Sequence, residues 1–185
     1  MSCLDGIPFL YQGDELGLVD GVIAEEHQAD PIALRNPGTT DGRDASRTPM
    51  PWDDGPGNGF TTAAEAWLPS LPRRREETVE YQRVTMGTPL QHFRSLVGLR
   101  RNTAIWSKPI VSLERDHLVT RIARPGAYVV ANLGLDAAPL QLPAGDWRVA
   151  FQSWPIPAPE HGETASIPQF APAESTIVFL DQSGA

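Results

Sequence analysis

The sequence predicts an α/β segment followed by an all-β antiparallel sandwich. Three observations predict it. A short apolar run at residues 7–11, bounded by Gly6 and Gly13, has the composition of a buried strand. Leu90, Phe93, Leu96 and Val97 recur at helical spacing. Beyond residue 104, short strand-like runs alternate with turn residues and no helical period returns.

The run 7–11 (Ile-Pro-Phe-Leu-Tyr) reads as a parallel strand buried on both faces. Pro8 lacks an N–H and so belongs near its start. Such a strand needs neighbours to pair with. From Gln12 to about Gly87 no periodicity appears, and Pro, Gly, Asp and Arg dominate. An irregular excursion that long in a compact domain is expected to build something. Arg73-Arg74-Arg75 followed by Glu76-Glu77 reads as a solvated rim. Thr88 and Pro89 open a helix, threonine as cap and proline in the first turn. Arg100 and Arg101 suit its C-terminal end, and it is expected to stop near Asn102. Strands are expected at 109–113, 117–123, 128–133, 147–151 and 176–180. Gly126, Asn132-Leu133-Gly134 and Pro143-Ala144-Gly145-Asp146 mark turns between them. The boundary between the two parts falls near residue 104.

Composition narrows the function. The chain has 185 residues, too few for a complete eightfold barrel of roughly 250. Fifteen basic against 23 acidic residues give a net charge of −8, which argues against nucleic acid or an anionic membrane as partner. Cys3 is the single cysteine, so no internal disulfide or thiolate-rich metal site is possible. The apolar run at 7–11 is too short for a signal or membrane helix, and a cytoplasmic location is expected. His27, His92, His117 and His161 are too dispersed for a local metal motif. His92 borders the apolar stripe of the helix and reads as a boundary histidine. No phosphate loop or nucleophile elbow is present, and no metal or cofactor is expected.

Two stretches carry a family resemblance. Gly6-Ile7-Pro8-Phe9-Leu10-Tyr11-Gln12-Gly13-Asp14-Glu15-Leu16-Gly17 resembles the eighth barrel strand of the α-amylase superfamily, glycoside hydrolase family 13. Gly42-Arg43-Asp44-Ala45-Ser46-Arg47-Thr48-Pro49-Met50-Pro51-Trp52-Asp53 resembles the arginine-rich loop after that strand, most closely in the α-glucosidase, oligo-1,6-glucosidase and trehalose synthase branch. Asn58-Gly59-Phe60, Trp67-Leu68-Pro69 and Thr78-Val79-Glu80-Tyr81-Gln82 continue the likeness. The resemblance implies a TIM-barrel remnant at 1–104, made of the last strand, a long catalytic-face loop and the last helix. It implies a β-sandwich C-terminal domain at 105–185. It further implies retaining cleavage of α-glucosidic bonds in oligosaccharides by an enzyme whose three acting carboxylates lie upstream of Gly6; a trehalose synthase or transglycosylase parent, or a non-catalytic carbohydrate-binding or structural module, is the alternative. None of those three carboxylates can be placed on a residue here. A separate N-terminal barrel segment, or self-association, is the partner this implies.

The remaining candidates are therefore supporting or rim residues. Retaining hydrolysis needs two carboxyl groups about 5–5.5 Å apart. Asp14 and Glu15 are adjacent and would point to opposite faces of an extended chain, so they are expected to brace the strand end. Arg43 and Arg47 have two compatible readings. They lock the loop through ion pairs with partners such as Asp44, or they donate to sugar hydroxyls at the substrate rim. Tyr11 is a further rim candidate, and Trp52 is expected to support the loop or stack on a ring. Trp147 and Trp154 are candidates for an exposed sugar platform on the β module.

Overall fold

The computed structural model describes residues 3–40, 42–153 and 167–183. Trp154 and His161 lie outside them. The chain forms two compact units, Phe9–Gln91 and Met1–Pro8 with His92–Ala185.

The unit Phe9–Gln91 is mostly loop, stitched by short helical turns. A 3-10 turn covers Asp14–Leu16. Helix α1, Pro31–Arg35, starts where the Asp30 side chain accepts from Ile32 N and Pro31 takes the first position. A second 3-10 turn covers Asp44–Arg47. Helix α2, Val79–Val84, is capped by Thr78, whose hydroxyl accepts from Tyr81 N at 3.2 Å and donates to Arg75 O at 2.7 Å. Gln82 on α2 is buried and ties distant stretches together. Its Nε2 donates to Leu16 O at 3.0 Å and Glu76 O at 3.1 Å, while Oε1 accepts from Leu90 N at 3.0 Å.

The expected strand at 7–11 does not form. Residues 7–11 carry no strand pairing, and Ile7 and Phe9 are 81% and 82% exposed. The reason is physical: a strand's backbone groups need a neighbouring strand, and among the described residues none lies alongside. Among the described residues no barrel closure is seen.

Helix α3, Pro89–Asn102, matches the expected span. Beyond it the strands are β1 (Ser112–Asp116), β2 (Val119–Arg124), β3 (Ala127–Asn132), β4 (Ala138–Pro139), β5 (Trp147–Gln152), β6 (Phe170–Ala171) and β7 (Ser175–Asp181). They make two antiparallel sheets, one ordered β1-β2-β3-β7-β5 and a small one of β4 and β6. Asp116 pairs with Val119, so His117 and Leu118 make the first hairpin turn, with His117 at φ 51°. Arg124 pairs with Ala127 across Pro125 and Gly126, the latter at φ 83°, a turn chemistry suited to proline then glycine.

The inner strands β3 and β7 of the larger sheet are buried on both faces, while the edge strand β1 is largely exposed. One face packs Tyr128, Val130, Ile177 and Phe179 against Leu140 and Ala171. The other packs Ile122, Val129 and Val178 against Trp106, with Leu96 and Leu99 of α3 covering them. This explains why β3 and β7 are almost continuously apolar where a half-solvated strand would alternate. Asn132, at the end of β3, is buried. Its Nδ2 donates to Asp136 O, Ala171 O and Pro172 O, and its Oδ1 accepts from Gly134 N. His92 packs edge-on against Phe151 with ring centres 6.4 Å apart, and burial pushes its imidazole down from the usual value. No helix among the described residues is long and apolar enough to cross a membrane.

Candidate functional site

Asp30 organises the arginine-rich loop. Its side chain has no exposed surface. Oδ2 accepts from Arg43 Nε at 2.7 Å and from Arg43 N at 2.9 Å. Oδ1 accepts from Arg43 Nη2 at 3.1 Å and from Ile32 N at 2.9 Å. This is the bidentate fork that arginine offers a carboxylate and lysine does not. Arg47 Nη1 lies at 4.0 Å from the same Oδ2. The side-chain hydrogen bond from Arg43, then the Ile32 amide, hold the Asp30 carboxyl well below its ordinary range. The Arg43 guanidinium is raised in return, chiefly by Asp30.

Asp44 completes the lock from the other strand of the loop. Its Oδ2 accepts from Ala29 N at 2.7 Å and Asp30 N at 2.8 Å. Residues 29–30 and 43–44 therefore grip one another, Asp44 holding the amides of Ala29 and Asp30 while Asp30 holds the amide of Arg43. Asp44 is fully buried, and its Oδ1 has no hydrogen-bond partner among the described residues. Gly42 sits at φ 64°, and a Cβ there would lie 2.9 Å from Asp30 Cβ, so this close approach needs glycine.

Asp14 and Glu15 serve the chain turn. Asp14 Oδ2 accepts from Tyr11 N at 2.9 Å, and Glu15 Oε2 accepts from Gly13 N at 3.0 Å. Tyr11 is half-exposed. The Arg43 side chain, forked onto Asp30, is 54% exposed, and that of Arg47, at 4.0 Å from the same carboxylate, is 33% exposed. The Trp52 ring is half-exposed. Its backbone is knitted in, with Trp52 N donating to Asn58 O at 2.8 Å and Glu80 N donating to Trp52 O at 2.9 Å.

The structure thus brings Arg43, Arg47 and Asp44 together around Asp30, a residue the sequence reading did not single out. Its signal was Asp30-Pro31, a cap followed by a first-turn proline. A cavity of about 120 Å³ is lined in part by Tyr11, Asp14, Ser46, Thr48 and Arg73. That is below the roughly 300 Å³ at which small-molecule pockets begin. Among the described residues no group of three or more His, Cys, Asp or Glu is placed to hold a metal ion. On the β unit, the Trp147 ring packs against the core 6.2 Å from Tyr128, and its Nε1 donates to Pro143 O at 2.9 Å. Both observations oppose a role as an exposed sugar platform.

Comparison with known proteins places these features in context. The family described as "Alpha amylase, catalytic domain" matches residues 1–108. The chain is 32% identical over 149 residues to the salivary alpha-glucosidase of Anopheles gambiae, covering 77% of this chain and 25% of that one. It is 26% identical over 204 residues to the oligo-1,6-glucosidase of Heyndrickxia coagulans, covering 97% and 35%. Among solved structures it is similar to the alpha-glucosyl transfer enzyme XgtA, with TM-score 0.73, 28% identity, and coverage of 94% and 32%. It shares its fold with the trehalulose synthase MutB of Pseudomonas mesoacidophila MX-45, at TM-score 0.75 and 22% identity. The chain spans about a quarter to a third of the length of these relatives.

Proposed function

Because the chain belongs to the alpha-amylase family, we propose that it is the C-terminal part of a retaining α-glucosidase-like glycoside hydrolase acting on oligosaccharides. In this reading residues 1–104 are the end of a (β/α)₈ barrel and residues 105–185 its C-terminal β domain. The acting carboxylates belong to the remainder of the barrel, and this chain alone is inactive. Tyr11, Arg43 and Arg47 face the substrate rim, while Asp14, Glu15, Asp44 and Trp52 hold the rim in place. The family match over residues 1–108 carries the proposal. The Asp30–Arg43 fork supports it, because a loop fixed on a buried carboxylate can present guanidinium donors to sugar hydroxyls without reorganising. The exposed run at 7–11 supports a barrel segment as its partner.

Transfer of a glucosyl group is the second reading, favoured by the likeness to XgtA. Two experiments test the proposal. The purified chain, given a chromogenic α-glucoside, should show no turnover above background, and clear turnover would overturn its assignment as non-catalytic. DNA upstream of the Met1 codon should encode, in frame, most of a barrel of about 250 residues with carboxylates on successive strands. An upstream stop codon in a verified transcript would overturn the assignment as part of a longer hydrolase. Products from the longer chain, glucose or a new disaccharide, separate hydrolysis from transfer.

A further inference from the structure

Arg124 is a buried charge on the β unit, with no exposed side-chain surface. It extends from the last position of β2, and its guanidinium lies 5.6 Å from the centre of the Trp106 ring. Nη1 donates to Lys108 O at 2.6 Å and pairs with Asp5 Oδ1 at 2.8 Å, while Nη2 donates to Cys3 O at 3.0 Å. Its Nε finds no partner among the described residues. Asp5 is the one carboxylate paired with this guanidinium among the described residues. From α3, Arg100 reaches the same stretch, donating to Leu4 O at 3.2 Å and Gly6 O at 2.8 Å.

A buried guanidinium without a counter-charge is strongly unfavourable. If residues 3–6 lifted away, Arg124 would lose Asp5 and the Cys3 carbonyl together and keep Lys108 O and the Trp106 face. The lead-in stretch is therefore held by the electrostatic requirement of the sheet beneath it as well as by its own side chains.

We propose that Arg124 and Arg100 form a clamp that seats residues 3–6 on the β unit. The clamp sets how often that stretch lifts, separately from unfolding of the sheet. The inference rests on this unit alone and does not depend on the assigned activity.

Cys3 supplies the readout, since it is the single cysteine and is 6% exposed. On the full 185-residue chain, labelling by an aromatic disulfide reagent reports lifting, and far-ultraviolet circular dichroism with a urea titration reports the sheet. Arg124→Met should raise the labelling rate about tenfold or more and Asp5→Asn about threefold, Asp5 being discounted for its exposed flank, while the sheet stays folded. Arg124→Lys should fall between Arg124→Met and the parent. Asp5→Asn alters a surface side chain and decides the matter if Arg124→Met fails to fold. Unchanged labelling in a folded Asp5→Asn chain overturns the clamp. Labelling in the parent that tracks the urea dependence of global unfolding also overturns it.

Discussion

At Asp30 a single carboxylate serves the cap of α1, the backbone of Arg43 and the Arg43 fork at once. Asp30→Asn keeps the shape and removes the charge, so the loop between residues 30 and 43 should open more often. Limited proteolysis within 31–42 should become faster, and no change would show that the fork does not hold the loop. The direction of the Asp30 shift also sets a pH dependence. Its folded carboxyl titrates below its ordinary value of 3.8. Its stabilisation is thus complete above that value and is lost as pH falls below it toward the depressed folded value. Amide protection at Ile32 and Arg43, corrected for intrinsic exchange, should fall in acid in the parent and stay flat in Asp30→Asn. An identical acid profile in both would sink this account. The arginines and Asp44 were visible in the sequence because their density in a loop is unusual. Asp30 was hidden because a cap signal says that a helix starts, whereas its pairing with an arginine 13 positions later depends on how the loop returns.

Among the elements, α2 hangs on two buried polar side chains. Thr78→Ala removes its cap and should cost about 1 kcal/mol. Gln82→Ala strips acceptors at Leu16 and Glu76 of a donor and leaves the Leu90 amide unpaired, which should cost about 2 kcal/mol. Urea unfolding followed by fluorescence checks both, and a loss below half of these values would show that water replaces the bonds. Helix α3 was legible because Pro89 at its first position and the 3.6-residue period agree, although the expected cap role of Thr88 is filled at Leu90 N by Gln82 Oε1 while the Thr88 hydroxyl donates to Gln82 O and Thr85 O. The strand expected at 109–113 instead begins at Ser112, because its partner register is set by the His117-Leu118 turn and its residues Glu114, Arg115 and Asp116 carry no apolar alternation. β4 and β6 are two residues each, too short for any periodicity to mark them. The run at 7–11 misled for the opposite reason, since its composition announces a strand whose partners are not among the described residues.

For the molecule as a whole, the exposed apolar side chains of Ile7, Phe9, Val22 and Trp67 should make the isolated chain self-associate and bind anilinonaphthalene sulfonate. Phe9→Ser with Ile7→Ser should reduce the dye signal, and an unchanged signal would place the sticky surface elsewhere. In the β unit, Phe179→Ala should cost about 3–5 kcal/mol by thermal or urea unfolding, since Phe179 is fully enclosed. β7 lies between β3 and β5 and contributes Ile177, Val178 and Phe179 to both faces of the sheet. During translation, β1, β2, β3 and β5 all emerge from the ribosome before the strand that must lie between β3 and β5. The nascent unit waits with the slot between β3 and β5 vacant until residue 181 is free, a three-stranded meander on one side and a lone strand on the other. A premature stop codon shortly before Ser175 would therefore split this sheet instead of trimming its edge, and the product would be a substrate for chaperones and proteases.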